Sequence, residues 1–220
     1  RAVQRHFDCP HLKGAQLEDG GGAGTSNSHW EMRNFRDEYM VGASSPSFRT
    51  FSVITAALFS DSGWYGVDES KVEPLHWGHH AGCDFVEKSC SEWTQRGYLC
   101  EGNGEFSCNY DRRAQAYCEV VHYEEDKIPL SQRHFGAGST LGGFSPLLDY
   151  CPVYRAYSNG DCTQKGALFD WMPGGGQERC DQCRCFEAKG TTSFRSEPAC
   201  FRMRCLSPSA LEVHVGDRWH

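Results

Sequence analysis

The hydrophobic residues between positions 46 and 61 recur at helical spacing. Phe51, Ile54 and Leu58 are three or four residues apart, and other apolar residues widen the stripe: Phe48, Val53, Ala57 and Phe59. Pro46 suits a first helical turn, and three nearby serines are candidate N-caps: Ser44, Ser45 and Ser47. Gly63 suits the position after a helix end. The pattern predicts a helix over residues 46–61 that is mostly buried on one side.

Beyond Cys83 the periodicity is weak, because short apolar segments alternate with glycine, proline and cysteine. Glycine-containing runs predict loops, at residues 20–26, 102–104, 136–143, 158–161 and 173–176. Residues 211–215 alternate apolar and polar side chains, which predicts a strand. The fold class expected from these patterns is α+β, with a loop-rich second half that contains a few short strands.

Composition indicates an oxidising compartment. The chain has 13 cysteines in 220 residues, more than a cytosolic protein of this size usually carries unless it binds metals. The net charge of -7 argues against a nucleic-acid partner, which requires a basic face. The longest charge-free, apolar-leaning run, residues 50–60, is too short to span a bilayer. Since the chain starts at Arg1 with no export signal and has an odd number of cysteines, we expect a fragment of a secreted or surface protein.

One histidine stands out because of its neighbours. The glycine-rich run 20–24 leads to His29, and Met40 follows in the run Asp37-Glu38-Tyr39-Met40. Residues 17–34 and 37–40 resemble the third-histidine segment and the Met-turn of the leishmanolysin family of surface zinc metalloproteases. Four further runs are similar to that family: residues 51–65, 77–83, 148–153 and 157–164.

The resemblance implies a metzincin-type endopeptidase that binds one zinc ion. An H-E-x-x-H helix supplies two zinc ligands and a general-base glutamate in such enzymes, and a later histidine supplies the third ligand. On this resemblance His29 is the third ligand, and Met40 is the apolar residue of the Met-turn beneath the zinc. The family fold implies that residues 1–85 form the second half of a catalytic region (loop, Met-turn and helix). Residues 86–220 would form a cysteine-rich domain.

No H-E-x-x-H motif occurs in the sequence. We therefore expect the catalytic helix upstream of Arg1, and we expect the chain to be inactive alone. The family implies protein and peptide substrates, adhesion to host-cell or matrix proteins, and a cell-surface or secreted location. Membrane attachment would require a lipid anchor whose signal is not in these residues. A rival interpretation is a non-catalytic, cysteine-rich adhesion protein encoded by a truncated gene.

Two other groups of residues suggest metal chemistry when taken alone. His76, His79 and His80 lie within five residues, but a solvated turn is the more common explanation of such a group. Cys180 and Cys183 form a C-x-x-C motif, for which zinc binding and redox activity are alternatives to structural disulfides. Disulfides are favoured there because no second C-x-x-C knuckle is present.

The resemblance also implies a set of disulfides. The implied pairs are Cys9–Cys83, Cys90–Cys151, Cys100–Cys118, Cys108–Cys180 and Cys162–Cys200. Cys183 and Cys185 have no assigned partner, and a bridge between them would be strained. In the family the position of Cys205 is bridged to a later cysteine, so we expect Cys205 to be unpaired in this chain.

Overall fold

The computed structural model describes residues 1–43, 49–93, 96–165, 176–189 and 196–220. It is a mixture of few helices and many short strands, as expected for the α+β class. The helices are α1 (Ala2–Phe7), α2 (Met32–Phe35), α3 (Val53–Asp61) and α4 (Cys83–Glu87). Short 3-10 turns occupy Glu69–Lys71, Cys90–Glu92, Arg96–Tyr98, Leu130–Gln132 and Pro146–Leu148.

Within the described residues, nine strands form three antiparallel sheets. They are β1 (Phe106–Cys108), β2 (Ala114–Cys118), β3 (Val120–His122), β4 (Leu141–Gly143), β5 (Tyr154–Asp161), β6 (Cys183–Lys189), β7 (Ser196–Ser207), β8 (Ala210–Val215) and β9 (Arg218–Trp219). The strand orders are β1-β2-β5, β3-β4 and β6-β7-β8-β9. The strand predicted over residues 211–215 is confirmed as β8. Among the described residues, no helix has the length and apolar character needed to cross a membrane.

Two compact units divide the chain. The first contains residues 1–96 and 120–152, and the second contains residues 97–119 and 153–220. Each unit is therefore assembled from two stretches of sequence. The predicted division into a catalytic part (1–85) and a cysteine-rich part (86–220) concerns functional regions, which need not coincide with the compact units. It stays a prediction.

Aromatic side chains and one buried arginine form the core of the first unit. Phe85 stacks on Trp93 with ring centroids 4.2 Å apart, and Trp77 contacts both rings. Arg33 lies beneath α4, where it donates hydrogen bonds to the carbonyl oxygens of Phe85, Val86 and Lys88. Its Nε pairs with Asp149 Oδ2 at 2.8 Å. Because the free carbonyls of a helix end carry partial negative charge, the guanidinium both satisfies and neutralises them.

Helix α3 is shorter and more exposed than predicted. It begins at Val53, and Ser52 caps it by accepting a hydrogen bond from Ile54 N at 3.1 Å. The predicted caps and first turn, residues 44–48, lie outside the described residues. Thr50 is not helical because its backbone pairs with the 37–39 segment, donating to Asp37 O at 2.8 Å and accepting from Tyr39 N at 2.9 Å.

The remaining predictions for this helix concern the position of its C-terminal end and the side that is buried. The predicted stop is confirmed, since Gly63 has a φ of +72° just past the helix. The predicted buried side reaches only the first turn, where Ile54 and Ala56 are buried. The prediction was wrong for Leu58, which is 41% exposed, and for Phe59, which is 38% exposed.

Residues 158–161 were predicted to be a loop, and this prediction was wrong because they belong to β5. Gly160 fits there because a Cβ at this position would collide with the backbone oxygen of Gln115 on β2. The glycine therefore permits close approach of two strands at an irregularity in their pairing. The predicted loop at 136–143 is corrected at its end, where β4 begins at Leu141. Of the predicted loop at 173–176, residues 173–175 lie outside the described residues.

Six disulfides hold the chain, and four of the five pairs implied by the resemblance are present. These four are Cys9–Cys83, Cys90–Cys151, Cys100–Cys118 and Cys162–Cys200. The implied pair Cys108–Cys180 is wrong, since Cys108 is bonded to Cys185 and Cys180 to Cys183. Cys205 is exposed and unpaired among the described cysteines.

Strand geometry and a tight turn explain the corrected pairing. Cys183 and Cys185 are alternate residues of β6, so both side chains point to the same buried face, where Cys185 reaches Cys108. Cys180 precedes the strand in a turn closed by a hydrogen bond from Cys183 N to Cys180 O at 2.8 Å. That turn brings the two Cα atoms to 4.9 Å, within the usual range for a disulfide.

We predict that peptide mapping without reduction will recover Cys108–Cys185 and Cys180–Cys183. Free thiols should be alkylated first, and Cys205 should carry the label because it is exposed. Trypsin can cleave after Arg184, so the two linkages give distinguishable peptides by mass spectrometry. Recovery of Cys108 joined to Cys180, or of Cys205 in a bridge with Cys162 or Cys200, would contradict the structure.

Candidate metal centre

A closed loop carries His29. Leu17 and Trp30 form an antiparallel bridge at its base, where Glu18 N donates to His29 O at 2.9 Å and Asn27 N donates to Glu18 O at 2.8 Å. Three glycines in the loop have positive φ, which costs glycine little and other residues more: Gly21, Gly22 and Gly24. The glycine-rich run therefore folds as the predicted loop and returns the chain to His29 with its backbone anchored on both sides.

The imidazole of His29 is partly buried and held through one nitrogen. Its Nδ1 lies 3.1 Å from the carbonyl oxygen of Thr25 and 3.1 Å from Ser28 Oγ. Because a carbonyl oxygen only accepts hydrogen bonds, the contact with Thr25 requires the proton on Nδ1. The lone pair of Nε2 is then available, as a metal ligand needs.

The Met-turn segment packs directly against the loop of His29. Trp30 N donates to Met40 O at 2.9 Å, and Trp30 forms a parallel bridge with Val41. A Cβ on Gly42 would collide with the methyl group of Thr25, so glycine is needed where the turn meets the loop. The structure thus brings together the backbone segments of the two residues singled out from the sequence, His29 and Met40.

The carboxylate of Glu38 joins the turn, the loop and α3. It is fully buried, and its Oε2 accepts from Met40 N at 2.7 Å. Its Oε1 accepts from Ser52 N at 3.1 Å, Ser52 Oγ at 2.9 Å and Thr55 Oγ1 at 2.6 Å. Thr55 Oγ1 in turn accepts from Trp30 Nε1 at 2.8 Å. One side chain therefore fixes the Met-turn, the helix start and the residue next to His29.

Sequence reasoning missed Glu38 as a supporting residue, although the run Asp37–Met40 had been singled out. A glutamate two residues before Met40 is compatible with a solvated turn, and nothing in the local pattern indicates burial. The two hydroxyl groups that donate to it come from 14 and 17 residues further along the chain. Only the pairing of Glu38 with Thr50 brings α3 to this carboxylate.

Acidic side chains cluster at the base of the loop. Glu18 accepts from Gly20 N at 2.8 Å and from Met32 N at 3.1 Å, and burial raises the pKa of its carboxyl above the ordinary value. Glu31 accepts from Arg33 N at 3.1 Å through Oε1. Burial, aided by the charges of Asp149 and Glu18, raises the pKa of Glu31 to about 8.

The histidine group at 76–80 does not assemble as a metal site in the described part of the chain. His76, His79 and His80 are exposed, and the rings of His79 and His80 stack with centroids 3.9 Å apart. Burial lowers the pKa of His79 below its ordinary value. The C-x-x-C motif is a disulfide, so its cysteines are not zinc ligands in this structure.

Among the described residues, His29 belongs to no group of three or more ligand atoms close enough to hold an ion. Zinc sites in proteins use three or four protein ligands. The tautomer of His29 and the anchoring of its loop are compatible with one such ligand position. A zinc ion bound there would need further ligands. The role of His29 as a metal ligand therefore stays a prediction.

The backbone of the His29 loop packs against the segment that contains Met40, and comparison with known proteins gives the class of the protein. The family model described as leishmanolysin, peptidase family M8, matches residues 1–219. The chain belongs to the leishmanolysin family, a family of metallopeptidases.

Individual relatives match part of their own length. A leishmanolysin-like peptidase of Drosophila pseudoobscura pseudoobscura is 35% identical over 176 residues, which are 71% of this chain and 25% of the relative. Leishmanolysin of Leishmania tropica is 34% identical over 168 residues, covering 74% and 25%. Leishmanolysin of Leishmania donovani is 31% identical over 228 residues, covering 97% and 38%. The chain thus spans between a quarter and two fifths of these relatives.

We predict that Glu38→Gln will destabilise the first unit by about 1.5–3 kcal/mol. Both oxygens of the Glu38 carboxylate accept hydrogen bonds from backbone N–H groups, whereas the side chain of glutamine has only one acceptor oxygen. Its NH2 group would face one of these N–H groups, so one buried hydrogen bond would be lost. Urea unfolding followed by tryptophan fluorescence measures the change. Glu31→Gln is the matched control in buffer that contains a metal chelator, because Oε2 of Glu31 accepts no hydrogen bond from any described residue. Equal losses for both variants would contradict the role of Glu38.

Proposed function

We propose that this chain is part of a zinc-dependent metalloendopeptidase and supplies its third zinc ligand, His29. The observation that carries the proposal is the hydrogen bond from His29 Nδ1 to Thr25 O, which leaves the lone pair of Nε2 available to a metal ion, on a loop whose backbone contacts the Met40 segment. Membership of a metallopeptidase family supports this assignment.

The remaining ligands and the general base are proposed to come from an H-E-x-x-H helix outside these 220 residues, because the motif does not occur within them. Zinc held by three histidines supplies the usual hydrolytic chemistry, which is to lower the pKa of a bound water and to polarise the scissile carbonyl. The chain alone is then inactive, and its contribution is to place one ligand.

Residues of this chain position that ligand. The carbonyl of Thr25 fixes the tautomer and the ring orientation of His29, as outer hydrogen bonds to metal ligands do. Gly42 allows Thr25 to sit against the Met-turn. Glu38 holds the backbone of Met40, which is proposed to place the methionine side chain as an apolar floor under the zinc.

The wider assignment extends this proposal to the rest of the chain. Residues 1–85 are proposed to be the second half of a metzincin-type catalytic region, and residues 86–220 a cysteine-rich domain. Six disulfides suggest a secreted or extracellular, oxidising environment. The proposed partners are protein and peptide substrates. Adhesion to host-cell or matrix proteins and attachment to the cell surface are proposals from the family alone.

The test uses the full-length protein encoded by the gene. We predict that His29→Ala will remove zinc, from about one equivalent to a small fraction, and will abolish peptidase activity, since two histidines hold zinc poorly. Zinc content by mass spectrometry and cleavage of a casein substrate are the measurements. Met40→Leu should retain zinc and lose less than about tenfold in activity, because leucine keeps the apolar volume.

His76→Ala is the matched histidine control and should retain both zinc and activity, because His76 is exposed and belongs to the other histidine group. Stoichiometric zinc with near-normal turnover in His29→Ala would disprove the assignment. A full-length protein with no H-E-x-x-H motif and no zinc would instead support the rival function of a non-catalytic adhesion protein.

We also predict that the 220-residue chain will show no casein hydrolysis that a zinc chelator blocks, even with zinc added. It contains neither the general base nor two of the ligands, so no water is activated or positioned. A preparation that has passed two orthogonal purification steps excludes a contaminating protease. Chelator-sensitive hydrolysis that co-purifies with the chain would contradict the proposed division of ligands.

A further inference from the structure

Three carboxylates meet at the base of the His29 loop. One oxygen from each of Glu18, Asp19 and Glu31 lies within 4.8 Å of the others. Glu18 and Glu31 are each only 1% exposed, whereas Asp19 is exposed. Two buried carboxylates and one at the surface thus form an acidic cluster that opens to solvent on the Asp19 side.

The Glu31 carboxylate is incompletely satisfied. Within the described part of the chain its Oε2 is buried and has no hydrogen-bond partner. A buried polar atom of this kind is uncommon in folded proteins, and a bound ion is one recognised explanation. The Oε2 atom, which has no partner among the described residues, therefore indicates a bound ligand independently of the number of acidic residues in the cluster.

The described residues do not neutralise the cluster. No lysine, arginine or histidine among them forms an ion pair with Glu18, Asp19 or Glu31. Arg33 attracts Glu31 at a distance, but its guanidinium makes four hydrogen bonds elsewhere, to Asp149 and to three carbonyl oxygens. Buried carboxylates persist as anions in proteins when they are paired or coordinate a metal, and a bound cation would stabilise the charged form here. Without a cation, protonation neutralises the cluster, in keeping with the raised pKa values of Glu18 and Glu31.

We propose that Glu18, Asp19 and Glu31 bind one calcium ion at the base of the His29 loop. The ligand atoms are all carboxylate oxygens, which select a hard cation over zinc. Calcium accepts irregular geometry and six to eight oxygens, so water can complete the shell at the exposed Asp19. Magnesium requires near-ideal octahedral geometry and fits such a cluster less well.

Binding is compatible with the hydrogen bonds already present. Each carboxylate oxygen of Glu18 accepts one hydrogen bond, from Gly20 N or Met32 N, and an oxygen of a carboxylate has a second lone pair for a metal. The ion would link the start of the loop, at Glu18 and Asp19, to the N-cap of α2 just after the end of the loop, at Glu31. Because Glu18 N holds His29 O, the calcium site would stabilise the loop that carries His29.

The test is calcium titration of the chelator-treated 220-residue chain by isothermal calorimetry. We expect one site of submillimolar to millimolar affinity, about the range of extracellular calcium modules, and a higher melting temperature when calcium is bound. Glu31→Gln should weaken binding at least about 100-fold and remove the melting shift, since it replaces a buried charged ligand. Asp19→Asn should weaken binding about tenfold, and its surface position keeps the protein folded.

Two variants serve as controls. Glu124→Gln removes an exposed carboxylate outside the cluster and should bind calcium as the wild type does. His29→Ala should also retain calcium, which separates this site from the proposed zinc centre, so either can fail without the other.

Three outcomes would overturn the proposal. The first is a folded wild-type chain without saturable binding at about 10 mM calcium, well above the usual affinities; the cluster would then be neutralised by a shared proton. The second is unchanged affinity in both Glu31→Gln and Asp19→Asn. The third is tighter binding of magnesium than of calcium.

Discussion

The hydrogen bonds accepted by one buried carboxylate, Glu38, organise the first unit around the candidate site. A fully buried carboxylate is stable only if donors surround it, and each donor here comes from a part of the chain that must be placed correctly. The donor at Met40 shapes the Met-turn, and the donors at Ser52 and Thr55 place the start of α3. Since Trp30 reaches the same network through Thr55, the residue next to His29 is held by it as well.

Different interactions stabilise the two units: aromatic packing in the first and disulfides in the second. In the first, stacked aromatic rings surround Arg33, whose guanidinium satisfies a helix end and pairs with Asp149. In the second, the buried cluster consists of cysteines from three disulfides, which replace the large apolar side chains of an ordinary core: Cys108, Cys162, Cys183, Cys185 and Cys200. Cross-links restrict the unfolded chain, so loop-rich segments with short strands remain ordered without extensive apolar burial.

Features that depend on a few neighbouring residues could be predicted from the sequence. Gly63 ends α3 because a residue with positive φ terminates a helix, and the alternation over residues 211–215 forms β8. The loop before His29 follows from its glycines. The prominence of His29 and Met40 came from the resemblance to leishmanolysins, and the structure places their backbones side by side without testing zinc binding.

Features that depend on distant residues were decided by the tertiary structure. The helix begins at Val53 rather than residue 46 because Thr50 is paired with the Met-turn segment, and Gly160 joins a strand because the Gln115 carbonyl approaches it. Cys108 selects Cys185 because β6 turns that side chain inward. The sequence by itself determined local conformation and the inventory of reactive groups. Burial arises only when the segments pack together: it makes Glu38 a scaffold, and it leaves one oxygen of Glu31 without a hydrogen-bond partner among the described residues.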